Sequence, residues 1–382
     1  MKKALVLASV ASMIDQFNMP NIRLMIEMGY QVDVATNFVE GSTCSDEKIA
    51  VLKHMLADMG VECHQVDFAR NVLKVSQNLR AYRQTRKLVK VNHYNLIHSH
   101  SPIGGLLSRI AAKDMRKKGT KMIYTAHGFH FFKGAPKLNW LIFYPIEKVS
   151  SQWTDVLVTI THEDYKLAQE KMNAKKVVYV PGVGIDTKTF HPGANASEIN
   201  AKKRKELALR TDDVVLLSVG ELNKNKNHEI VLRAMAKLNN KNVHYVIAGS
   251  GILKNFLEQL SQELGVRNQL HLLGFRTDVR ELFKMADVFV HPSHREGLSV
   301  AVMEAMASSL PIICSKIRGN TDLIDEGKGG CLFSPTDEEG TLKALKAVVN
   351  SQDRKGMGAY NVKKAEGLDV TVVLETMREL YK

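Results

Sequence analysis

The sequence predicts an α/β protein made of two open, parallel-sheet domains, residues 1–186 and 187–382, with the last helix packing back on the first. Three observations lead there. A chain of 382 residues is longer than one ordinary hydrophobic core organises. Short β-branched runs alternate with amphipathic stretches from the first residue onward, which is the pattern of βαβ units. The series is then interrupted by Pro181-Gly182-Val183-Gly184-Ile185-Asp186 and the charged stretch 202–210, and a fresh apolar run starts at Val214.

In the first domain, strands are expected at 4–9, 31–36, 96–100, 122–127, 155–160 and 177–180, with helices between them. Met1-Lys2-Lys3 ahead of the apolar residues 4–11 has the composition of a signal peptide. The alternative is a buried first strand followed by an amphipathic helix over 17–28. The second domain repeats the pattern, with strands at 214–220, 243–249, 270–272, 288–291 and 311–314. Open α/β sheets bind ligands beyond the carboxyl ends of their strands, so the chemistry is expected in those loops, around a cleft shared by the two domains.

Composition narrows the class. A content of 45% hydrophobic and 24% charged residues is that of a soluble globular protein, and no apolar run approaches the roughly 18 residues of a membrane span. Cys44, Cys63, Cys314 and Cys331 are scattered, with neither disulfide nor zinc spacing, which fits a reducing cytoplasm. The net charge of +13 is concentrated in the first half, where 25 Lys/Arg face 16 Asp/Glu. Arg80, Arg83, Arg86, Lys87 and Lys90 recur at spacings of three and four and share one helix face. That face is either simply solvated or attracted to anionic lipid or a pyrophosphate acceptor. Nucleic acid is disfavoured, because no zinc-finger, RRM or helix-turn-helix signature accompanies the charge.

Several motifs follow the predicted strands. Gly249-Ser250-Gly251 sits where a dinucleotide turn would, but Lys254 occupies the place of the third glycine; an ordinary strand-to-helix turn is the alternative. Glu296 and Glu304 are eight residues apart, as are Glu198/Glu206 and Glu221/Glu229, so spacing alone decides nothing. Only the Glu296 pair follows a buried strand, 287–292, and straddles a helix start. Gly297, Leu298 and Ser299 would offer unpaired amides to an anion there, with Glu296 near whatever follows the phosphate and Glu304 placed for ribose hydroxyls. In 218–229, Lys224 and Lys226 could offset charge growing on a pyrophosphate, or be solvated loop lysines. The first domain adds His127, His130 and three phenylalanines after one strand, and His98 and His100 on its neighbour. A zinc site from these histidines lacks a carboxylate or cysteine at ligand spacing.

Val219-Gly220-Glu221-Leu222 with Lys226, then Leu273-Gly274-Phe275, then Glu296-Gly297 with Met303-Glu304-Ala305-Met306-Ala307, then Leu310-Pro311-Ile312-Ile313, resemble the carboxyl-terminal signature of family-4 retaining glycosyltransferases. His127-Gly128-Phe129-His130-Phe131-Phe132-Lys133-Gly134 and Tyr144-Pro145-Ile146-Glu147-Lys148 are similar to a bacterial branch that builds exopolysaccharide or capsule on lipid carriers. The resemblance spans essentially the whole chain. It implies the GT-B fold of two Rossmann-like domains facing a cleft, the first binding acceptor and the second donor. It also implies that Lys226 contacts donor phosphates, Glu296 lies near the donor sugar, Glu304 on the ribose and His127 against the reacting sugar. Two departures stand out. Glu221 replaces the arginine usual after Val-Gly, which leaves Lys224 to supply that cation, and the glycine-rich loop after the first strand is absent.

The expected function is therefore retaining, metal-independent transfer from a nucleotide-sugar, a UDP-sugar above others, to a saccharide or lipid-linked acceptor. No cofactor is expected, and the location is cytoplasmic, peripheral at the inner face of the membrane. The alternatives are a nucleotide-sugar epimerase of the same fold and a non-catalytic lipid-surface module. Donor contacts are assigned to Lys224, Lys226, Gly297, Leu298, Ser299 and Glu304, and catalysis to His127 and Glu296.

Overall fold

A computed structural model describes residues 1–40 and 44–382. They form two compact units, Met1–Val183 with Thr371–Lys382, and Gly184–Val370. The first holds β1 (Lys2–Val10), β2 (Tyr30–Asn37), β3 (Glu62–Gln65), β4 (Leu96–His100), β5 (Lys121–Ala126), β6 (Val156–Thr159) and β7 (Lys176–Tyr179). All pair in parallel in the order β3-β2-β1-β4-β5-β6-β7. The residues that imitate a signal peptide are thus a central strand. Ala4, Val6 and Ala8 enter one core cluster and Leu5 and Leu7 another, so both faces of β1 are covered by helices.

The second unit contains β8 (Val214–Val219), β9 (Val243–Ala248), β10 (Leu270–Leu272), β11 (Val288–His291), β12 (Ile312–Ser315) and β13 (Gly330–Phe333), parallel in the order β10-β9-β8-β11-β12-β13. Leu216 packs into one cluster and Val215 and Leu217 into the other, repeating the two-sided burial. Strand order reverses between β1 and β4 in the first unit and between β8 and β11 in the second. Loops leaving adjacent strands in opposite directions open a crevice at each reversal.

Two features differ from the expected elements. The helix placed over 17–28 is Met19–Glu27, and a further helix, Ala11–Phe17, precedes it; the two are separated at Asn18, which does not hold helical geometry and whose amide side chain donates to the Met13 carbonyl. Strands β3 and β13 were not anticipated. Both are four-residue edge strands, and Glu62-Cys63-His64-Gln65 has no residue in the buried core. The chain returns to the first unit at its end: Val373, Met377, Leu380 and Tyr381 of the helix Val370–Tyr381 pack in the cluster around β1, and the Tyr30 hydroxyl donates to the Tyr381 carbonyl at 2.7 Å.

Candidate functional site

In the second unit the reversal between β8 and β11 brings together two loops that are 70 residues apart in sequence. Asparagines join them. Asn223 accepts from the Lys226 amide at 3.0 Å and caps the tight turn Lys224–Lys226. Asn225 receives the His294 amide at 2.8 Å on its carbonyl and donates its side chain to the Arg295 carbonyl at 2.9 Å. Asn227, in the left-handed conformation, donates to the carbonyls of Pro292 at 3.1 Å and Pro335 at 2.9 Å. The loops after β8, β11 and β13 are thereby fixed to one another.

This scaffold places the Lys226 ammonium 2.8 Å from Glu296 Oε1, with His291 Nε2 at 3.5 Å from the same oxygen. Burial works to raise the Glu296 carboxyl, but the His291 hydrogen bond and the Lys226 charge outweigh it and hold it down at about 2. Glu296 is therefore ionised at any physiological pH and cannot donate a proton. His291 is fully enclosed, and burial lowers its pKa below the ordinary value.

Beyond Glu296 the chain enters the helix Val300–Ala307, whose first turn is capped by Ser299 Oγ accepting from the Val302 amide at 3.4 Å. The amides of Gly297, Leu298 and Ser299 precede that turn and have no acceptor among the described residues. Gly319, at φ +82°, backs this segment so closely that a Cβ would overlap the Gly297 carbonyl oxygen. The Glu304 carboxylate, further along the helix, has no hydrogen bond or ion pair among the described residues. Burial pushes its carboxyl up to about 7, against a smaller opposing effect of the Arg280 charge. Two glutamates of one motif are thus set at opposite ends of the carboxyl range by their surroundings.

Other sequence candidates take different places. Lys224 is exposed and its side chain makes no hydrogen bond or ion pair among the described residues; Glu221 is also exposed and accepts from Asn223 Nδ2 at 3.0 Å. Gly249-Ser250-Gly251 is a packing device, since a Cβ on Gly249 would overlap the Gly220 carbonyl and the Ser250 carbonyl accepts the Leu222 amide at 3.0 Å. Sequence reasoning missed His291 and the three asparagines, which become visible only once β8 and β11 are known to be neighbours.

In the first unit, His127 follows β5 and shares a hydrogen bond with His100, Nε2 to Nδ1 at 3.1 Å. Phe17 lies against it with ring centroids 5.5 Å apart. His98 packs against His100 with the rings tilted and their centroids 4.1 Å apart, and its two nitrogens are occupied by the Tyr381 hydroxyl at 2.9 Å and Thr125 Oγ1 at 2.8 Å, so it has none left for a metal. Burial lowers His127 to about 4 and His98 to about 3, which leaves both neutral. At the β1/β4 reversal, Ser9 and Ser101 hydroxyls meet at 2.7 Å and the Gly104 amide donates to Ser9 Oγ at 2.9 Å. A cavity of about 520 Å³ opens beside them, lined among others by Val10, Arg70, Val72, His130 and Phe143. Phe129 and Phe131 are buried with Trp140 and Tyr144 at the base of this region, so the aromatics after β5 are core. Among the described residues, carboxylate and histidine ligand atoms converge at Asp33, Glu62 and His64, away from both reversals; Asp33 already accepts from the Tyr94 hydroxyl and His64.

Comparison with known proteins gives matches over both units. The family model for "Glycosyltransferase Family 4" matches residues 22–189, and that for "Glycosyl transferases group 1" matches 199–364. The chain is 33% identical to EpsD of Bacillus subtilis, named as a glycosyltransferase, over all of this chain and 96% of the relative. It is 29% identical to the Escherichia coli UDP-Gal:alpha-D-GlcNAc-diphosphoundecaprenol alpha-1,3-galactosyltransferase, over 82% of this chain and 81% of that one. Among solved structures, Anabaena HepE in complex with UDP superposes with a TM-score of 0.78 at 18% identity, covering 100% of this chain and 99% of that one. The lipopolysaccharide-biosynthesis glycosyltransferase WaaG gives 0.71 at 18% identity, over 99% of both. The architecture is GT-B, two Rossmann-like α/β domains.

Proposed function

Because the chain belongs to glycosyltransferase family 4, we propose that it moves a sugar from a UDP-sugar to a saccharide or lipid-linked saccharide acceptor in polysaccharide synthesis, retaining the anomeric configuration and using no metal ion. The observation that carries this reading is the Lys226–Glu296 pair at the β8/β11 reversal, next to amides that have no acceptor among the described residues. A diphosphate seated there would meet the Lys226 ammonium and the Gly297, Leu298 and Ser299 amides, while Lys224 lies free in the same loop to approach it. As the bond from the sugar to the diphosphate breaks, negative charge grows on the leaving oxygen and positive charge on the sugar. Lysine and helix-start amides stabilise the first without a divalent ion, and the Glu296 carboxylate lies on the side of the second. Glu304 takes the ribose hydroxyls. His127, neutral, hydrogen-bonds the sugar and leaves proton removal from the acceptor to the leaving-group oxygen, consistent with attack on the same face.

A UDP donor and a diphospho-polyprenol acceptor are the chemistry named for the Escherichia coli relative, and the basic first half suits an acceptor presented at an anionic membrane. We place the protein at the inner, cytoplasmic face of that membrane, bound peripherally. No helix of the described residues is long and apolar enough to cross it.

Free UDP should appear on mixing UDP-sugar with the protein only when a saccharide or lipid-linked saccharide acceptor is added, and at the same rate in EDTA. An epimerase or a non-catalytic module would release none. Loss of release in EDTA, restored by manganese, would overturn metal independence. Stabilisation by GDP-sugars in place of UDP-sugars in a melting experiment would overturn the choice of nucleotide.

A further inference from the structure

The helix Lys137–Ser151 is apolar on two sides, and one of them faces solvent. Leu138, Leu141, Ile142, Pro145, Ile146 and Val149 recur at helical spacing and all are exposed, Leu141 at 74% and Leu138 at 61%. The opposite side packs Trp140, Phe143 and Tyr144 against the aromatic core and buries Glu147, Ser150 and Ser151. A specific pairing makes this possible. Arg109, wholly enclosed and lying 4.0 Å over the Tyr124 ring, grips Glu147 with two hydrogen bonds of 2.8 and 3.1 Å, so the charged residue is the one held inward. The apolar stripe is left to solvent, and it continues onto a second segment. Val72 and Ile146 line one small pocket, and beside Val72 the chain exposes Leu73 and Val75, at 79% and 70%. Contiguous apolar surface of this kind marks a contact.

Charge identifies what it contacts. Arg70, Lys74, Lys133, Lys137 and Lys148 are exposed around the stripe. Across residues 70–148 the acids are Asp114 and Glu147, and each is paired, with Arg86 at 3.1 Å and with Arg109. A second copy of the chain would bring cations against the same cations. A bilayer with anionic headgroups takes both parts, accepting the apolar stripe at the acyl boundary and the lysines among the phosphates. We propose that the outward face of Lys137–Ser151, with Val72, Leu73 and Val75, is an interfacial anchor that inserts into an anionic bilayer. Since Val72 and Phe143 also line the 520 Å³ cavity at the β1/β4 reversal, the anchor would set that cavity at headgroup depth, where a lipid-linked saccharide presents its sugars.

The inference rests on the membrane-facing part of the function proposed above and is independent of the donor site. Sedimentation with vesicles of equal parts phosphatidylglycerol and phosphatidylcholine tests it, using the full chain carrying Leu138→Gln, Leu141→Gln and Val149→Gln together. Gln keeps helix propensity. Vesicle affinity is expected to fall about tenfold or more, and wild-type binding to persist in part at high salt because its apolar component is unscreened. Transfer to a soluble acceptor analogue and UDP binding should match wild type, which also reports that the variant is folded. Wild-type affinity in the triple variant would overturn the anchor, and if charge reversal of Arg83, Lys87 and Lys90 abolished binding instead, the membrane reading would survive on the other helix. A wild-type dimer that the variant dissociates, without vesicle binding, would assign the stripe to self-association. Absence of vesicle binding by wild type would overturn both the anchor and the membrane reading, while leaving UDP binding to decide the donor site.

Discussion

Glu296→Gln is expected to lower kcat by about two to three orders of magnitude while UDP affinity changes by no more than about twofold. The two carboxamide atoms nearly reproduce the shape of the carboxylate, so the loop from β11 to the helix Val300–Ala307 should keep its course. What is lost is a fixed negative charge. In the unmodified chain that charge is permanent, because the carboxyl is held near 2 despite burial. A charge that needs no proton loss and no solvent reorganisation is most effective where positive charge develops only in the transition state, which is why turnover and not nucleotide binding carries the effect. The Lys226 ammonium loses its partner at 2.8 Å and becomes freer to meet a diphosphate, which limits any loss of UDP affinity. The pair is about one-fifth exposed on each side, and its disruption should cost on the order of 1–3 kcal/mol of stability, read as a lower Tm. Equal losses in UDP affinity and kcat/KM, with kcat intact, would remove Glu296 from the reacting sugar.

How much of this was legible before the structure follows from which interactions are local. The central strands were, because burial on both faces leaves continuous apolar runs such as Ala4–Leu7. The edge strands β3 and β13 were not; they are four residues long, and half of each is only partly buried. The types Lys226, Glu296 and Glu304 could be picked out from their positions after strands, but not the feature that makes them a unit. His291 ends a strand and Asn223, Asn225 and Asn227 look like turn residues; their roles come from the β8–β11 pairing across 70 residues. The helix Lys137–Ser151 shows the converse. Both of its sides are apolar in the sequence, and the one turned inward packs Trp140, Phe143 and Tyr144 on the core and pairs Glu147 with Arg109, 38 residues earlier.

Glu304→Gln should weaken UDP binding by about ten- to a hundredfold at pH 8, the loss of charge-assisted hydrogen bonds to ribose hydroxyls. The effect should depend on pH in a way that a role in packing would not produce. The free chain holds the Glu304 carboxyl near 7, chiefly through burial, against an ordinary value of 4.5. Accepting from two hydroxyls favours the ionised form, so below 7 UDP must drive off a proton to bind, and wild-type affinity rises as pH increases through 7 and then levels off. The glutamine variant has no such proton to lose and its affinity should be flat. Stability moves the other way. A carboxyl whose pKa is raised by folding is at no disadvantage below 4.5, where it is protonated folded and unfolded alike; between 4.5 and 7 the unfolded chain gains increasingly from ionising, and above 7 the cost is fully present. Without UDP, Glu304→Gln should therefore raise Tm by a few degrees at about pH 8 and much less at about pH 5. Calorimetric titration with UDP and melting curves at both pH values measure the two signs in one pair of proteins. A variant that binds UDP as wild type does at pH 8, or whose affinity keeps the wild-type pH dependence, would take Glu304 off the ribose.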